Sequence, residues 1–398
     1  MESREKMASR RGPAWVLLGL LPLLCLGVLL AVIVLNGAGI GREDVPPVED
    51  LTVSRVALPA EDEIVVHVRN GGPDPVTISQ VTINEALWDF RMEPSNTVPP
   101  RAAAEVVIPY TWVEAEAYGI GMISDTGVTF EAEVPLAVLT PGFSGETFWR
   151  YALIGFYVGV VPVSLGLLWY PFLRRLGTSG MGFVLALTVG LLVWLVLDTL
   201  LDAVEVAGTL PGFFSGVPMV LSVTLLTLLG LLAAERLFRR GREEASRLST
   251  SYRIAAGIGL HNLGEGLAIG AAFALGEAAL GVFLVVGFTL HNITEGVGIA
   301  APILKERPRF AHFLWLALIG GGPAILGTWI AGFAYSPLLS ALFLAVGAGA
   351  ILQVIYEVSR LLLKDSSKAK EPVLSAPNLG GLTAGIAVMY ATALLVSV

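Results

Sequence analysis

Charged residues are scarce in this chain. Only 15% of its 398 residues are Asp, Glu, Lys or Arg, whereas 55% are hydrophobic. A soluble domain carries nearer one quarter charged residues. The apolar residues also occur in runs of about twenty, which is the length that a helix needs to cross the hydrocarbon core of a bilayer. The composition therefore excludes a soluble globular protein and predicts a membrane protein.

Cysteine is almost absent. The single Cys25 lies within the first apolar run, which excludes a disulfide framework or a thiolate metal site within one chain. The net charge of −8 comes from one segment, because residues 42–147 hold 18 acidic and 5 basic side chains, and the remainder is basic on balance. The acidity therefore does not indicate a nucleic-acid partner or acid-specific chemistry for the whole chain.

The N-terminal apolar run resembles a signal peptide but is too long for one. A basic head at 1–13 precedes apolar residues 15–35, whereas the apolar region of a signal peptide usually has about 7–15 residues. No small-residue cleavage site closes the run convincingly. We therefore predict an uncleaved transmembrane anchor within residues 1–40, with its N-terminus in the cytoplasm.

Short β-branched stretches follow the anchor. They are separated by turn signals such as the Asn-Gly-Gly-Pro-Asp-Pro segment at 70–75. Stretches of this kind over roughly a hundred residues predict a small all-β domain at 41–147, a sandwich of the immunoglobulin-like kind. Three roles for this domain remain open from its sequence. It can recruit an unknown partner, shield the outer mouth of the core or concentrate cations.

Eight further apolar runs predict an eight-helix core over 148–398. They lie near 149–171, 181–204, 213–234, 254–275, 278–302, 311–333, 337–363 and 379–397. The loops that fall on one side hold 15 Lys and Arg residues, and the three short loops on the other side hold none. Because basic loops remain cytoplasmic, we predict a multi-pass protein of the cell membrane with nine spans, whose β-domain and C-terminus are extracytoplasmic.

The fourth and fifth core segments carry the same motif, His-Asn-x-x-Glu-Gly, at 261–266 and 291–296. His and Glu four residues apart lie on one helical face. If the two helices pack together, two imidazoles and two carboxylates converge, and these groups suit Zn²⁺, Fe²⁺ or Mn²⁺. The amide oxygens can bind a second, harder ion or a water molecule. The predicted metal ligands are His261, Asn262, Glu265, His291, Asn292 and Glu295.

A buried His–Glu pair can also be a satisfied polar contact between helices. Here the pair occurs twice with the same Asn and Gly, and two of the chain's four histidines begin the repeats. Ionisable groups at membrane depth usually mark a pathway. We therefore favour an ion site on a path through the membrane. The other two histidines, His67 and His312, are interpreted as ordinary surface residues.

The paired motif resembles the signatures of the ZIP (Zrt/Irt-like protein) metal transporters, especially their GufA-like bacterial branch. The resemblance covers about 148–398 and implies an eight-helix core with both ends outside. It implies a binuclear site, in which the histidines and glutamates bind one ion and the asparagines join the glutamates at the other. It further implies that zinc above all, and also iron or manganese, is the substrate moved towards the cytoplasm, without an organic cofactor, by an elevator-like shift within a homodimer.

Three positions depart from the family's pattern. Gly264 and Thr294 stand where the family often has Pro before the motif Glu. In the sixth core helix Gly322 precedes Pro323, where an acid often stands. The resemblance therefore implies that one bridging carboxylate is missing, which bears on affinity and metal preference.

Further acidic residues are candidates for the pathway. Asp198, Asp202 and Glu205 form a stripe near the outer end of the second core helix, either to attract cations or as a solvated helix end. Glu357, in the seventh core helix, resembles an acidic position of the family near the inner exit. The alternative is a helix-end charge that pairs with Arg360.

Metal uptake is the leading functional prediction, and the chain is not expected to be an enzyme. One alternative is a metal-binding membrane sensor or scaffold, in which the β-domain signals. Another is an intramembrane zinc hydrolase, since two His and two Glu can hold Zn²⁺ with an activated water. The sequence lacks the His-Glu-x-x-His motif of such hydrolases.

Overall fold

The computed structural model describes residues 13–36, 47–214, 216–239 and 246–396. The fold is mostly helical, and the strands of a small antiparallel β-sandwich follow the first helix and precede the others along the chain. Helix α1, Pro13–Asn36, lies within the predicted N-terminal anchor and belongs to a separate unit from the residues after Glu49.

The strands of the sandwich lie where the sequence predicts a β-domain. Within the described residues they are β1 Leu51–Ala60, β2 Glu63–Asn70, β3 Val76–Ile83, β4 Ala86–Trp88, β5 Arg91–Glu93, β6 Thr97–Val98, β7 Ala103–Ile108, β8 Tyr118–Ser124 and β9 Thr129–Val134. One sheet has the order β1-β2-β7-β5, and the other has β4-β3-β8-β9 with β6 beside β3. Alternate residues of β2, Ile64, Val66 and Val68, are buried, as period-two side-chain alternation requires. The prediction of a β-sandwich is confirmed.

Eight helices follow the sandwich in the described part of the chain. They are α2 Gly145–Leu173, α3 Thr178–Gly208, α4 Gly216–Arg239, α5 Arg247–Ala274, α6 Ala278–Ala300, α7 Phe310–Ala334, α8 Pro337–Ala369 and α9 Ala376–Val396. Among the residues described, six helical segments are long and apolar enough to cross a bilayer, in α2, α3, α4, α6, α7 and α8. The chain is therefore a membrane-spanning protein, while the total of nine spans stays a prediction.

Helix boundaries follow local sequence signals. The Ser144 side chain caps α2 by accepting a hydrogen bond from the backbone N–H of Thr147, and the Thr147 side chain accepts one in return. The Ser336 side chain caps α8 by accepting a hydrogen bond from the backbone N–H of Leu339, and Pro337 occupies the first helical position, where its missing N–H costs nothing. The end of α8 is marked by Lys370 in the left-handed conformation at φ 56°.

Two helices of the core are irregular. Helix α2 contains a π-helical turn at Phe156–Val160, followed by Pro162. Helix α7 is interrupted at Gly322, directly before Pro323. Proline removes a backbone donor and obstructs the preceding turn, and a π-turn inserts one extra residue into a helix. Both irregular segments pack against the helices that carry the duplicated motif.

The sandwich packs on one end of the helical core. A Cβ atom at Gly71 would lie 2.8 Å from Cβ of Pro211, in the connection between α3 and α4. One at Gly276, which has φ +79° and joins α5 to α6, would lie 2.5 Å from Cγ2 of Val138. Neither connection contains Lys or Arg, and both are predicted to lie on the extracytoplasmic side of the membrane.

Candidate metal centre

Both motif helices run without a break through their motifs. The hydroxyl of Thr294 donates to the carbonyl oxygen of His291 at 2.6 Å, so it is satisfied within its own helix. A Cβ atom at Gly264 would meet Cδ2 of Leu344 in α8 at 3.3 Å. The replacement of Pro at these two positions therefore leaves α5 and α6 regular beside the motif glutamates.

Glu265 lies at the centre of the cluster. Nε2 of His261 is 3.1 Å from its Oε1, and Nε2 of His291 makes a closer contact with the same oxygen. The ligand atoms of the three side chains all lie within 4.8 Å of one another, an arrangement that can hold a metal ion. The structure thus brings both histidines and this carboxylate together from two helices, while their role as ligands stays a prediction.

The second motif glutamate is placed differently. Glu295 is 5% exposed, and neither of its oxygens has a hydrogen-bond partner among the described residues. Its Oε1 is 4.0 Å from Nε2 of His261, and the Asn262 side chain approaches it without reaching hydrogen-bond geometry. A buried carboxylate without donors is costly unless a proton or a cation compensates it.

The two asparagines are anchored through their amide nitrogens. Nδ2 of Asn262 donates to the carbonyl oxygen of Gly320 in α7 at 2.9 Å. Nδ2 of Asn292 lies 3.0 Å from the carbonyl oxygen of Val158 in α2 and 2.9 Å from Oε2 of Glu265. Because the nitrogens are engaged, the amide oxygens are the atoms that remain for a ligand.

Several polar atoms of the cluster are both buried and unpaired. Across the described chain, the motif residues contribute five of them, Nδ1 of His261, Oδ1 of Asn262, Oδ1 of Asn292, and Oε1 and Oε2 of Glu295. No motif residue named as a ligand exposes more than 7% of its surface. Unpaired buried polar atoms are rare in folded proteins and call for an explanation such as a bound ion. Four of the five are oxygen atoms, which can coordinate a divalent cation.

The glycine that ends each motif lets another helix approach closely. A Cβ atom at Gly266 would lie 2.2 Å from the carbonyl oxygen of Ala324 in α7. One at Gly296 would lie 2.3 Å from the carbonyl oxygen of Val163 in α2. These distances are too short for any side chain, so each repeat packs backbone against backbone on its own flanking helix.

In both flanking helices, α7 and α2, a backbone carbonyl shortly before a proline binds the asparagine of one motif. Asn262 binds a carbonyl three residues before Pro323, and Asn292 binds one four residues before Pro162. The π-helical turn Phe156–Val160 accounts for the extra residue in α2. The repeats thus form two similar pairs, α5 with α7 and α6 with α2, that meet at the cluster.

The predicted acidic stripe on α3 leads towards the cluster. Asp198 and Asp202 both lie within electrostatic range of His261 and Glu265. Asp198 is half-buried, whereas Asp202 and Glu205, nearer the helix end, are exposed. The structure therefore brings the inner end of the stripe close to the cluster and leaves its outer end at the surface.

Glu357 does not pair with Arg360, the partner that its position in the sequence suggests. Its Oε2 accepts a hydrogen bond from Nη2 of Arg253 in α5 at 3.0 Å, and the residue is 4% exposed. Arg360 instead lies 3.8 Å from Oε1 of Glu235 in α4. Pairing of Glu357 with Arg360 is therefore corrected to pairing with Arg253, and the carboxylate lies at the end of α8 away from the sandwich.

Gly322 lies outside the contacts of the cluster. The three heavy atoms nearest to a Cβ built there all belong to Leu318 of the same helix. The carbonyl of Gly320, two residues earlier, is the α7 group that binds Asn262. Reasoning from sequence missed this carbonyl and that of Val158. The available signal was the proline that follows each of them in α7 and α2.

Fold and site together define a membrane-spanning helical protein with a sandwich at one end and a buried cluster able to hold a metal ion. No protein-family profile and no curated protein matches the sequence. Among solved structures, the archaellum periplasmic stator protein FlaG from Sulfolobus acidocaldarius is similar at 14% identity over 22% of this chain and 99% of that chain. The TM-score is 0.20, so this likeness carries no argument about fold or function.

Proposed function

We propose that this chain is a transporter of divalent transition-metal ions, of the ZIP kind, that moves Zn²⁺, and also Fe²⁺ or Mn²⁺, towards the cytoplasm. The observation that carries the proposal is the buried cluster of His261, Glu265 and His291 on α5 and α6, together with the buried, unpaired oxygen atoms of the neighbouring motif residues Asn262, Asn292 and Glu295. Cargo metal would satisfy these atoms. A set made of imidazole, carboxylate and amide oxygen suits divalent transition-metal ions.

Two neighbouring ions fit the division of ligands. His261, Glu265, His291 and Glu295 offer nitrogen and carboxylate oxygen, which suit a borderline ion such as Zn²⁺. The amide oxygens of Asn262 and Asn292 are harder donors and lie on the same side chains whose nitrogens are tied to backbone. Glu295, which has no hydrogen-bond partner among the described residues, is the residue best able to bridge both ions.

The packing supports movement of a rigid group of helices. The cluster is buried, with at most 7% exposure for any of its residues, so an ion can enter or leave only after a rearrangement. The contacts at Gly266 and Gly296 hold α5 to α7 and α6 to α2 backbone against backbone. We infer that these four helices move together against α3, α4, α8 and α9, as an elevator-like mechanism requires.

The remaining expectations belong to the same proposal. The strand orders β1-β2-β7-β5 and β4-β3-β8-β9 correspond to the A-B-E-D and C-F-G orders of an immunoglobulin-like sandwich, with one added strand. We infer that the sandwich is extracytoplasmic, because it packs on connections without Lys or Arg. A homodimer in the cell membrane, with the bilayer and the metal as its partners, completes the proposal.

The test is uptake into proteoliposomes. Purified full-length protein should move radioactive zinc or manganese into vesicles. Uptake should fall to the level of empty vesicles in Glu265→Ala and in Glu295→Ala. Glu131→Gln, an exposed carboxylate of β9, is the matched control and should transport normally.

The same preparation separates the alternative functions. Tight metal binding by the intact chain without any uptake would contradict transport and favour a sensor or scaffold. Hydrolytic activity that disappears on chelation, again without uptake, would favour an intramembrane hydrolase. Normal uptake in both glutamate variants would remove the cluster from the transport path.

A further inference from the structure

A cavity of ≈640 Å³ lies at the end of the helical core away from the sandwich. Its walls are the first turns of α5 and the last turns of α8. The lining is rich in positive charge, supplied by Arg247, Arg253, Arg360, Lys364 and Lys368. Its acidic residues are Glu306 and Glu357. This end of the core is predicted to face the cytoplasm, so the cavity presents a basic surface on that side of the membrane.

The basic residues of α8 form one stripe. Arg360, Lys364 and Lys368 are spaced by four, so they project from the same helical face on successive turns. Like charges at this spacing repel each other. Arg247 and Arg253, in the first two turns of α5, line the cavity as well. An anion between the two helices would relieve this repulsion.

Carboxylates neutralise only part of the positive charge. The arginines of the lining have carboxylate neighbours, which are Asp365 at 2.6 Å from Arg247, Glu357 at 3.0 Å from Arg253 and Glu235 at 3.8 Å from Arg360. The lining also has two exposed lysines, Lys364 and Lys368. Among the described residues, the basic side chains of the lining therefore outnumber the carboxylates that line the cavity or pair with it.

The start of α5 adds a second feature that favours an anion. The Ser246 side chain caps this helix by accepting a hydrogen bond from the backbone N–H of Ser249 at 3.1 Å. The first turn has no acidic side chain, and it begins with Arg247. A helix N-terminus carries partial positive charge, and its backbone N–H groups bind phosphate. Ser246 and Arg247 both line the cavity, so a phosphate group there would meet the helix N-terminus and the basic side chains together.

Helix length places the cavity at the level of the lipid headgroups. About 20 helical residues, or about 30 Å, cross the hydrocarbon core. Counted from Pro337 at the outer end of α8, this length ends near Glu357, about one turn before Arg360. The same length counted back from Ala274, at the outer end of α5, ends beside Arg253. Two helices that run in opposite directions therefore give the same depth.

Aromatic side chains at this end of the core agree with that depth. The Tyr356 side chain of α8 is 42% exposed, and the guanidinium carbon of Arg360 lies 5.4 Å from its ring centroid. On α2, Trp169 is 57% exposed, and Arg174 lies 5.6 Å from the ring centroid of Tyr170. Trp and Tyr are enriched where the bilayer meets water. These residues mark the predicted cytoplasmic interface.

We propose that the cavity binds the phosphate group of an anionic lipid from the cytoplasmic leaflet. Arg and Lys side chains and a helix N-terminus are the groups that bind phosphate in proteins. A free phosphate compound has the same chemistry. The depth of the lining favours the lipid, since the cytoplasmic leaflet holds anionic headgroups at this level. The proposal concerns α5 and α8 alone and does not depend on metal transport.

The test is thermal unfolding of the full-length chain in a zwitterionic detergent. Added phosphatidylglycerol should raise the unfolding temperature until the effect saturates, and phosphatidylcholine should not. Lys364→Gln combined with Lys368→Gln should raise the phosphatidylglycerol concentration of half-maximal effect by at least about tenfold, because each basic residue contributes about fivefold in affinity for anionic lipid. Both side chains are exposed, so their replacement should not unfold the chain.

The matched control is Arg174→Gln combined with Arg175→Gln. It removes two exposed positive charges at the same end of the core, outside the lining of the cavity, and should leave the half-maximal concentration unchanged. An equal rise in both double variants would indicate general attraction to basic loops and would overturn the site. Stabilisation by inorganic phosphate alone, to the same extent and lost in the lysine variant, would overturn the lipid as its occupant.

A direct binding measurement separates affinity from stability. Spin-labelled phosphatidylglycerol in phosphatidylcholine nanodiscs reports the fraction of lipid that is immobilised by the protein. That fraction should fall in the lysine variant and not in the arginine control, even if either variant unfolds at a different temperature without anionic lipid. Equal immobilisation in the parent chain and the lysine variant would contradict the proposal.

Discussion

The two His-Asn-x-x-Glu-Gly repeats have the same pattern of residues but take different parts in the cluster. In the first repeat, Glu265 is contacted by both histidines and by Asn292. In the second, Glu295 has no hydrogen-bond partner among the described residues. One motif thus supplies a carboxylate that is hydrogen-bonded within the cluster, and its copy supplies a carboxylate that is not.

The helices that flank the two repeats, α7 and α2, make different contacts with the motif asparagines. Asn262 meets a carbonyl of α7, whereas Asn292 meets a carbonyl of the π-helical turn in α2 and also reaches Glu265. A π-turn adds a residue and re-aims the backbone groups around it. Similar helices in nearly symmetrical positions can therefore build an asymmetric site. This asymmetry can be tested by changing both repeats in parallel.

Parallel removal of the two carboxylates should give the largest effects. Glu265→Gln and Glu295→Gln should each abolish metal uptake, but they should shift metal-free stability in opposite directions. Glu265→Gln removes the acceptor of several hydrogen bonds and should destabilise by about 3–5 kcal/mol. Glu295→Gln removes a buried carboxylate that has no hydrogen-bond partner among the described residues and should stabilise by about 1–3 kcal/mol. Thermal unfolding in detergent with a chelator measures both, and shifts of the same sign would contradict the asymmetry.

Parallel changes of the two motif glycines should have equal effects. Gly266→Ala and Gly296→Ala each place a Cβ within 2.3 Å of a backbone oxygen, and overpacking of this kind costs about 1–3 kcal/mol. Gly230→Ala in α4 is the matched control, because nothing lies within 4 Å of its Cβ position. Unfolding temperatures should fall in the first two variants only. A tolerated alanine at either motif would show that its helix pair is not held by close backbone contact.

The same substitution of the two motif asparagines should lower metal affinity unequally. Asn292→Ala removes an amide nitrogen that has two acceptors, whereas Asn262→Ala removes one with a single acceptor. Metal affinity should therefore fall about tenfold more in Asn292→Ala, since ligand-orienting partners are worth about 10–100-fold. Equilibrium binding to the purified variants measures this. Equal losses would mean that the contact with Glu265 does not orient it.

The smallest expected effect is that of Asp198→Asn on the initial rate of uptake. Its charge is within range of both histidines, so Asp198→Asn should act on the two repeats alike. Initial uptake should fall about two- to fivefold at low ionic strength by loss of electrostatic steering, and the difference should shrink in high salt. A loss that is independent of salt would indicate a ligand instead of a steering charge.

Local periodicity explains which parts of the cluster could be predicted. A His and a Glu four residues apart share a helical face in any helix, so the sequence already predicts that His261 approaches Glu265. The alternation in β2 likewise predicts one buried and one exposed face. Neither prediction depends on where other segments of the chain lie.

Contacts between distant segments could not be predicted in the same way. Arg360 was considered for Glu357 because the two are close in sequence, yet Arg253 of another helix forms the bond. The contact between His67 and Glu105 likewise depends on the register between two strands. Side-chain spacing along one element gives no information about register or helix packing.

The sequence by itself determined that the chain is a membrane protein with a β-domain, and that two helices each carry a His, an Asn and a Glu. Apolar run length and residue spacing are local properties, and they suffice for these conclusions. Only the tertiary structure decided that Glu265 is saturated while Glu295 is not. Glu265 receives contacts from His291 and Asn292 of the other motif helix, so the difference depends on how α5 and α6 pack together, which residue spacing along one helix does not give.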